Sequence, residues 1–350
     1  MSSIDYPQYI GASEENKLAQ AFDRIAQALV EQRAQFLFGA GMSRDSHLPL
    51  GSQLAMVLLR QYFPKTGAGK DLTDERLTQL TAEYPFEAIV HAIEQKPGCK
   101  RDDLTRVLKQ ILLDPNPEPN EAHHVFLSLL GARPRVRTIF TTNYDTLLEK
   151  TFGPDLGVAI TEKNAADIQQ VKDQGKIPIV YLRGKLDGDY QITEPEINPD
   201  QFHLLMEEFK VALHTAEAFV FVGCSLNDID FRQFYLTFLD QLDTRKKSGK
   251  TTYFVSPPHD KFSYMLGSEI WDLRKALWIP LGAEGFFKRL KGVLENRTLD
   301  RIRSEARMRY EVNDAELDDL VGRTAKLWRM NEQDALLFLY EARTRIGGQK

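Results

Sequence analysis

The sequence predicts an α/β fold: a doubly wound, parallel, Rossmann-like sheet with an inserted helical module and a helical C-terminal tail. Three observations predict it. Short apolar β-like runs recur at 35–38, 136–141, 177–182, 218–223, 251–255 and 276–281. Helical patterns alternate with them, as at 15–31, 201–215 and 231–242, and strand alternating with helix implies parallel pairing. Several runs also end in unusual polar residues. That is expected where the carboxyl ends of parallel strands line a binding crevice.

In order along the chain, Leu18, Phe22, Ile25, Ala26 and Leu29 fall at helical spacing. The run Phe36-Leu37-Phe38 follows and stops at Gly39-Ala40-Gly41-Met42-Ser43. Residues 52–62 read as a helix, and a helix-rich stretch continues to about 130, broken at Pro64, Pro97 and Pro115-Asn116-Pro117-Glu118-Pro119. Strand character returns only at 136–141. The intervening segment is too long for a simple crossover helix, so about 52–133 is assigned to a helical module inserted in a domain spanning 1–290. Beyond 290 the chain is charged and helical, with apolar positions at Leu317, Leu320, Val321 and Leu327, then Leu336, Leu337, Leu339 and Tyr340. This 291–350 region reads as amphipathic helices that pack on the body or on another subunit.

Composition narrows the function classes. The chain has 350 residues, 42% hydrophobic and 27% charged, which is ordinary for a globular protein large enough to bury a sizeable core. No apolar stretch approaches the roughly 18 residues needed to cross a bilayer, and the polar residues 1–23 lack a signal-peptide core. A cytoplasmic, non-membrane protein is expected. The two cysteines, Cys99 and Cys224, build neither a disulfide framework nor a four-cysteine zinc site. A net charge of −5 argues against a nucleic-acid coat, and Arg245-Lys246-Lys247 with Lys250 reads as a solvated turn.

The chemistry-bearing residues lie in four loops. Gly39 and Gly41 permit backbone angles and approaches that a Cβ blocks, and a helix starting at that turn would aim free N–H groups at a phosphate. Thr142-Asn143-Tyr144-Asp145, Arg183-Gly184-Lys185 and Gly223-Cys224-Ser225 follow three other strands. Asn143 and Asp145 also fit a helix cap. His47 is eligible as a base by its ordinary pKa, and equally fits a solvent-facing loop. His123 and His124 point about 100° apart on a helix and read as ordinary helix residues. Asp228 and Asp230 could pair on a metal, but an N-cap explains Asn227-Asp228 more simply, and no metal site is expected.

Taken in order, these motifs resemble the sirtuins, specifically the zinc-free, sirtuin-like branch found in bacterial antiphage defence systems. Gly39-Ala40-Gly41-x-Ser43 with Leu48-Pro49 resembles the cofactor-binding opening motif. Thr142-Asn143-x-Asp145 resembles the motif beside the nicotinamide ribose, and Gly223-x-Ser225-Leu226 the loop that holds the adenosine side. The Ser-Leu-x-Asp-x-Asp pattern carries Asp228 and Asp230 along as ligands. The resemblance implies that Gly39, Ala40, Gly41, Ser43, Pro49, Thr142, Asn143, Gly223, Ser225, Asp228 and Asp230 bind NAD+, and that Asn143, Asp145 and Arg183 stand at the reacting centre.

Two departures matter. Where sirtuins end the matching strand in His-Gly, this chain has Arg183-Gly184, and an arginine stays protonated and cannot act as the base. The zinc cysteines are also missing between 185 and 222, so protein deacylation is disfavoured. The resemblance therefore implies an NAD+ hydrolase that releases nicotinamide and ADP-ribose and depletes NAD in antiphage defence. The alternative is a catalytically inactive NAD or ADP-ribose-binding scaffold. Implied partners are further copies of the chain, as a homo-oligomer, and a separate hexameric DNA-translocase ATPase or Argonaute-like protein. Direct nucleic-acid binding is not implied.

Overall fold

A computed structural model describes residues 12–63, 72–130, 135–193, 203–224, 245, 247–258, 276–310, 335 and 337–338. The strands are β1 (Ala34–Phe38), β2 (Ile139–Thr141), β3 (Gly157–Ile160), β4 (Ile177–Tyr181), β5 (Ala218–Val222), β6 (Thr251–Val255) and β7 (Leu277–Ile279). They form one seven-stranded sheet in the order β3-β4-β2-β1-β5-β6-β7, every pairing parallel. The doubly wound fold class expected from the sequence is the one observed.

The helices are α1 (Ala12–Val30), α2 (Gly51–Tyr62), α3 (Asp74–Glu83), α4 (Phe86–Glu94), α5 (Arg101–Leu112), α6 (Glu121–Leu129), α7 (Leu147–Leu156), α8 (Ile168–Asp173), α9 (His203–Thr215) and α10 (Ala283–Tyr310). The expected helix at 231–242 and the apolar positions at 317–327 lie outside the described residues.

Because a parallel sheet is covered on both faces, its central strands are apolar throughout, yet their side chains still divide by a period of two. In β1, Phe36 and Phe38 enter a core shared with Phe22 of α1, Phe126 of α6 and Phe287 of α10. Leu37 points the other way, into a core with Phe140, Phe209, Phe219 and Phe221. Rings in both cores meet edge to face, as in Phe38 on Phe126 at 5.0 Å and Phe140 on Phe209 at 5.2 Å. Helix α10 runs unbroken through position 290, with Phe286, Phe287, Leu290 and Leu294 all fully buried, so its first half belongs to the sheet's helical layer.

The inserted segment divides in two. Helix α6 packs on the sheet, whereas α2 to α5 close a third core around Leu58, Leu77, Val90, Ile93 and Leu108. Leu48, Tyr144, Leu186 and Ile192, from loops at the sheet's carboxyl edge, complete that core. The module therefore sits on the edge where the loops emerge. Strand β3 was not legible in the sequence. It is four residues long, it follows the Gly153-Pro154 break in α7, and among the described residues it pairs only with β4.

One expectation is overturned. Arg245 is 1% exposed, not solvated, and its guanidinium donates to the carbonyls of Leu213, Ala216 and Thr251 and to Thr252 Oγ1. Burial lowers its pKa to about 10. The apolar surroundings accept the charge because the end of α9 and the start of β6 turn carbonyls toward the guanidinium.

His123 of α6 is also buried, and its Nδ1 lies 2.9 Å from Asn120 Oδ1. Burial lowers its pKa from 6.5 to about 4, with His124 adding to the effect. The folded pKa lies below the unfolded one, so as pH falls the unfolded chain takes up the proton first. Stability is complete above pH ~6.5 and declines toward pH 4, by about 2 kcal/mol at pH 5. Urea unfolding of the wild type at pH 7.5 and pH 5 should show this loss, and His123→Gln should flatten it. An equal pH slope in both proteins would rule it out.

Candidate functional site

Strands β4, β2, β1 and β5 are consecutive neighbours, so the four polar loops that follow them are adjacent by construction. From β1 the chain crosses to β2 on one side and later returns to β5 on the other. The edge between them is the switch point at which open α/β sheets bind ligands. The loops continue the ladder beyond the strands: Gly39 N donates to Val222 O, Thr142 N to Phe38 O, Leu182 N to Thr141 O, and Gly223 N to Val255 O.

The glycine turn is built differently from the sequence expectation. No helix starts at it. Two short 3-10 turns, Ala40–Met42 and Arg44–Ser46, follow β1, and α2 begins only at Gly51. The amides of Gly39, Gly41, Met42 and Ser43 donate to Val222 O, Gly223 O, Gly39 O and Ala40 O respectively, so they are not a free nest for a phosphate. The glycines answer a loop-to-loop packing demand instead. A Cβ on Gly41 would lie 2.7 Å from the Gly223 Cα, and one on Gly39 would lie 2.8 Å from the Gly223 oxygen. Ala40 is exposed at the tip of the turn, and Pro49 is half-buried just before α2.

Inside this frame a chain of hydrogen bonds joins three predicted residues. Asn143 Nδ2 donates to Ser43 Oγ at 3.1 Å, and Ser43 Oγ donates to Asp145 Oδ2 at 2.7 Å. The other carboxylate oxygen of Asp145 accepts from the Leu147 amide at 3.0 Å, capping α7. One oxygen of Asp145 thus satisfies the first amide of α7 while the other holds Ser43. Burial holds its carboxyl above the usual range, opposed by the Ser43 and Leu147 bonds. Thr141 Oγ1 donates to Phe38 O and accepts the Asn143 amide, which fixes where the Asn143 side chain starts. Thr142 is half-buried beside them. A nearby group also stands out: Ser46 Oγ is buried and has no hydrogen-bond partner among the described residues.

Arg183 lies apart from that chain. Its Nη1 is 2.8 Å from Glu87 Oε1 on α4, the two side chains being 6% and 3% exposed, and 3.5 Å from the Tyr144 hydroxyl. Glu87 is the functional candidate that sequence reasoning missed. The available signal was a carboxylate sharing a helical stripe with Val90 and Ile93. Gly184 has φ +74°, and a Cβ there would meet Asp189 O at 1.9 Å, so the loop turns back as a tight hairpin in which Gln191 N donates to Arg183 O.

His47 is exposed and left-handed, with φ +64°, and its amide closes the second 3-10 turn on Arg44 O. Cys224 is half-buried directly after Gly223. Ser225, Leu226, Asp228 and Asp230 lie outside the described residues. Among the described residues no group of three or more His, Cys, Asp or Glu could hold a metal ion, and no helix is long and apolar enough to cross a membrane.

The donor set suits a neutral polar ligand group at the crevice: an amide, a hydroxyl and a buried carboxylate in one chain, beside an orphaned serine hydroxyl. Residues 137–269, which contain the Asn143 and Gly223 loops, match the family model of a SIR2-like domain. A solved structure described as "The Structural basis for Sirtuin Substrate affinity" is 14% identical, with a TM-score of 0.39 over 75% of this chain and 94% of the other. No curated protein matches the sequence.

Proposed function

We propose that this chain, sirtuin-like by virtue of its SIR2-like domain, hydrolyses NAD+ to nicotinamide and ADP-ribose. The domain supports an NAD-related function. The hydrolase reading rests on one observation above all, the buried Asn143–Ser43–Asp145 chain at the switch-point crevice.

The bond between nicotinamide and ribose breaks through an oxocarbenium-like ribose, so the site must exclude bulk water and orient one water on C1′. The water oxygen bonds to C1′, the C1′–N bond breaks, nicotinamide leaves neutral, and a proton passes to solvent. Asn143 is the group that orients the water. Asp145, with both oxygens already accepting protein hydrogen bonds, acts on Ser43 and so fixes the Asn143 amide. Arg183 is held by Glu87 and serves as a wall of the site. The Ala40 tip, Pro49, Thr142 and the Gly223 loop with Ser225, Asp228 and Asp230 are assigned to the rest of the cofactor.

By the same resemblance we assign the chain to NAD depletion in antiphage defence. It would act as a homo-oligomer with a separate partner, a hexameric DNA-translocase ATPase or an Argonaute-like protein. A second reading has its own support. A permanently protonated arginine stands where the resembling family has its base, which fits a scaffold that binds NAD or ADP-ribose without turnover.

Nicotinamide release from NAD+, measured for the purified chain alone and with the product of its neighbouring gene, separates the two. Asn143→Ala should lower release by about 100-fold, the scale of losing one oriented hydrogen-bonding group, with the melting temperature nearly unchanged. Binding of NAD+ without release under either condition would favour the scaffold. Release that survives Asn143→Ala would remove Asn143 from its role.

A further inference from the structure

We infer that Glu87, on the inserted module, is a positioning residue for the 142–145 loop, acting through Arg183. The inference rests on reading that loop as ligand-binding and gives the module a part in the site. Glu87 Oε1 takes Arg183 Nη1 at 2.8 Å, and the same nitrogen lies 3.5 Å from the hydroxyl of Tyr144, the residue between Asn143 and Asp145. That hydroxyl donates to Gln191 O, and Gln191 N donates back to Arg183 O at 2.9 Å. The ring so closed joins the loop after β2, the loop after β4 and the hairpin beyond it, and Glu87 ties it to α4. Tyr190 packs edge-on against Tyr144 at 6.1 Å and carries the Arg101 guanidinium of α5 at 4.4 Å, a second tie from the module to the same place.

Energetics favour placement over stability as the role of the pair. A buried ion pair gains little net free energy over well-packed apolar side chains of similar size, whereas losing one partner strands a charge. What the pair supplies and an apolar contact lacks is direction. The guanidinium plane is fixed by the carboxylate and sets where the Tyr144 hydroxyl can stand. The backbone of Tyr144 is continuous with Asn143 and Asp145, so the pair holds the loop at Tyr144 while Ser43 holds its two neighbours.

Amide hydrogen exchange of residues 142–146, thermal unfolding and calorimetric NAD+ binding test this in the full chain. Glu87→Met with Arg183→Met removes both charges and should keep the wild-type melting temperature within a few degrees. It should nonetheless speed exchange at 142–146 about tenfold, leave exchange in β5 and β6 unchanged, and weaken NAD+ binding about tenfold. Glu87→Asp keeps the charge but shortens its reach, and should give a smaller change in the same direction. Unchanged exchange at 142–146 in either folded variant would overturn the inference. Faster exchange in a protein whose wild type binds no NAD+ would uphold it and refute the NAD reading instead.

Discussion

Gly223→Ala is expected to destabilise the protein by about 3 kcal/mol or more and to abolish ligand binding at the crevice. Gly223 has φ +70°, and a Cβ there would sit 2.5 Å from the Met42 nitrogen and 2.6 Å from the Gly41 carbonyl carbon. Both are backbone atoms, so no side-chain rotation relieves the collision. The Gly39 and Gly223 loops must separate, breaking the bond from Gly41 N to Gly223 O and shifting Ser43, and with it the hydrogen bonds to Asn143 and Asp145. Gly249→Ala is the control. It has φ +79° with open space around it, so it isolates the backbone cost at about 1 kcal/mol. Urea midpoints for the two variants should differ by the cost of the collision. Equal losses would mean that the loops yield without strain.

Arg245→Met is the second large effect, about 3 kcal/mol of lost stability with no direct effect on the crevice. Methionine fills much of the same volume and relieves the burial of a charge. It also takes the donor from the buried carbonyls of Leu213 and Ala216 and from the Thr252 hydroxyl. Each orphaned acceptor costs about 1–3 kcal/mol, so several together outweigh the relief. Denaturant unfolding measures the difference. A loss under about 1 kcal/mol would show that water replaces the guanidinium.

The contrast between Gly223 and Arg245 shows what the sequence could and could not carry. The strands flanking the site were legible because buried parallel strands are continuous apolar runs, and the loops because polar residues interrupt them abruptly. Ser43, Asn143 and Asp145 were each singled out, yet their mutual hydrogen bonds depend on β1 and β2 being neighbours, which local pattern does not state. The glycines were chosen correctly for close approach, but the approaching group proved to be Gly223. Arg245 read as a solvated charge because it sits in a basic run, and only the end of α9 explains its burial. Glu87 looked like any helix carboxylate until Arg183 was seen facing it. Strand β3 is a half-buried edge strand whose Gly157-Val158-Ala159-Ile160 is not the bulky apolar run that marks the central strands.

The strand order carries one more consequence, for the birth of the protein. Ala34 pairs with Ala218, and the whole inserted module lies between them in the chain. Loop closure of that span must precede the pairing that brings Gly41 to Gly223, so the crevice is a late product of folding. A ribosome that has made the glycine turn, the module and the Asn143 loop has still made no site. Truncated or partly synthesised chains would lack the crevice, which is complete only after β5 has been made and docked.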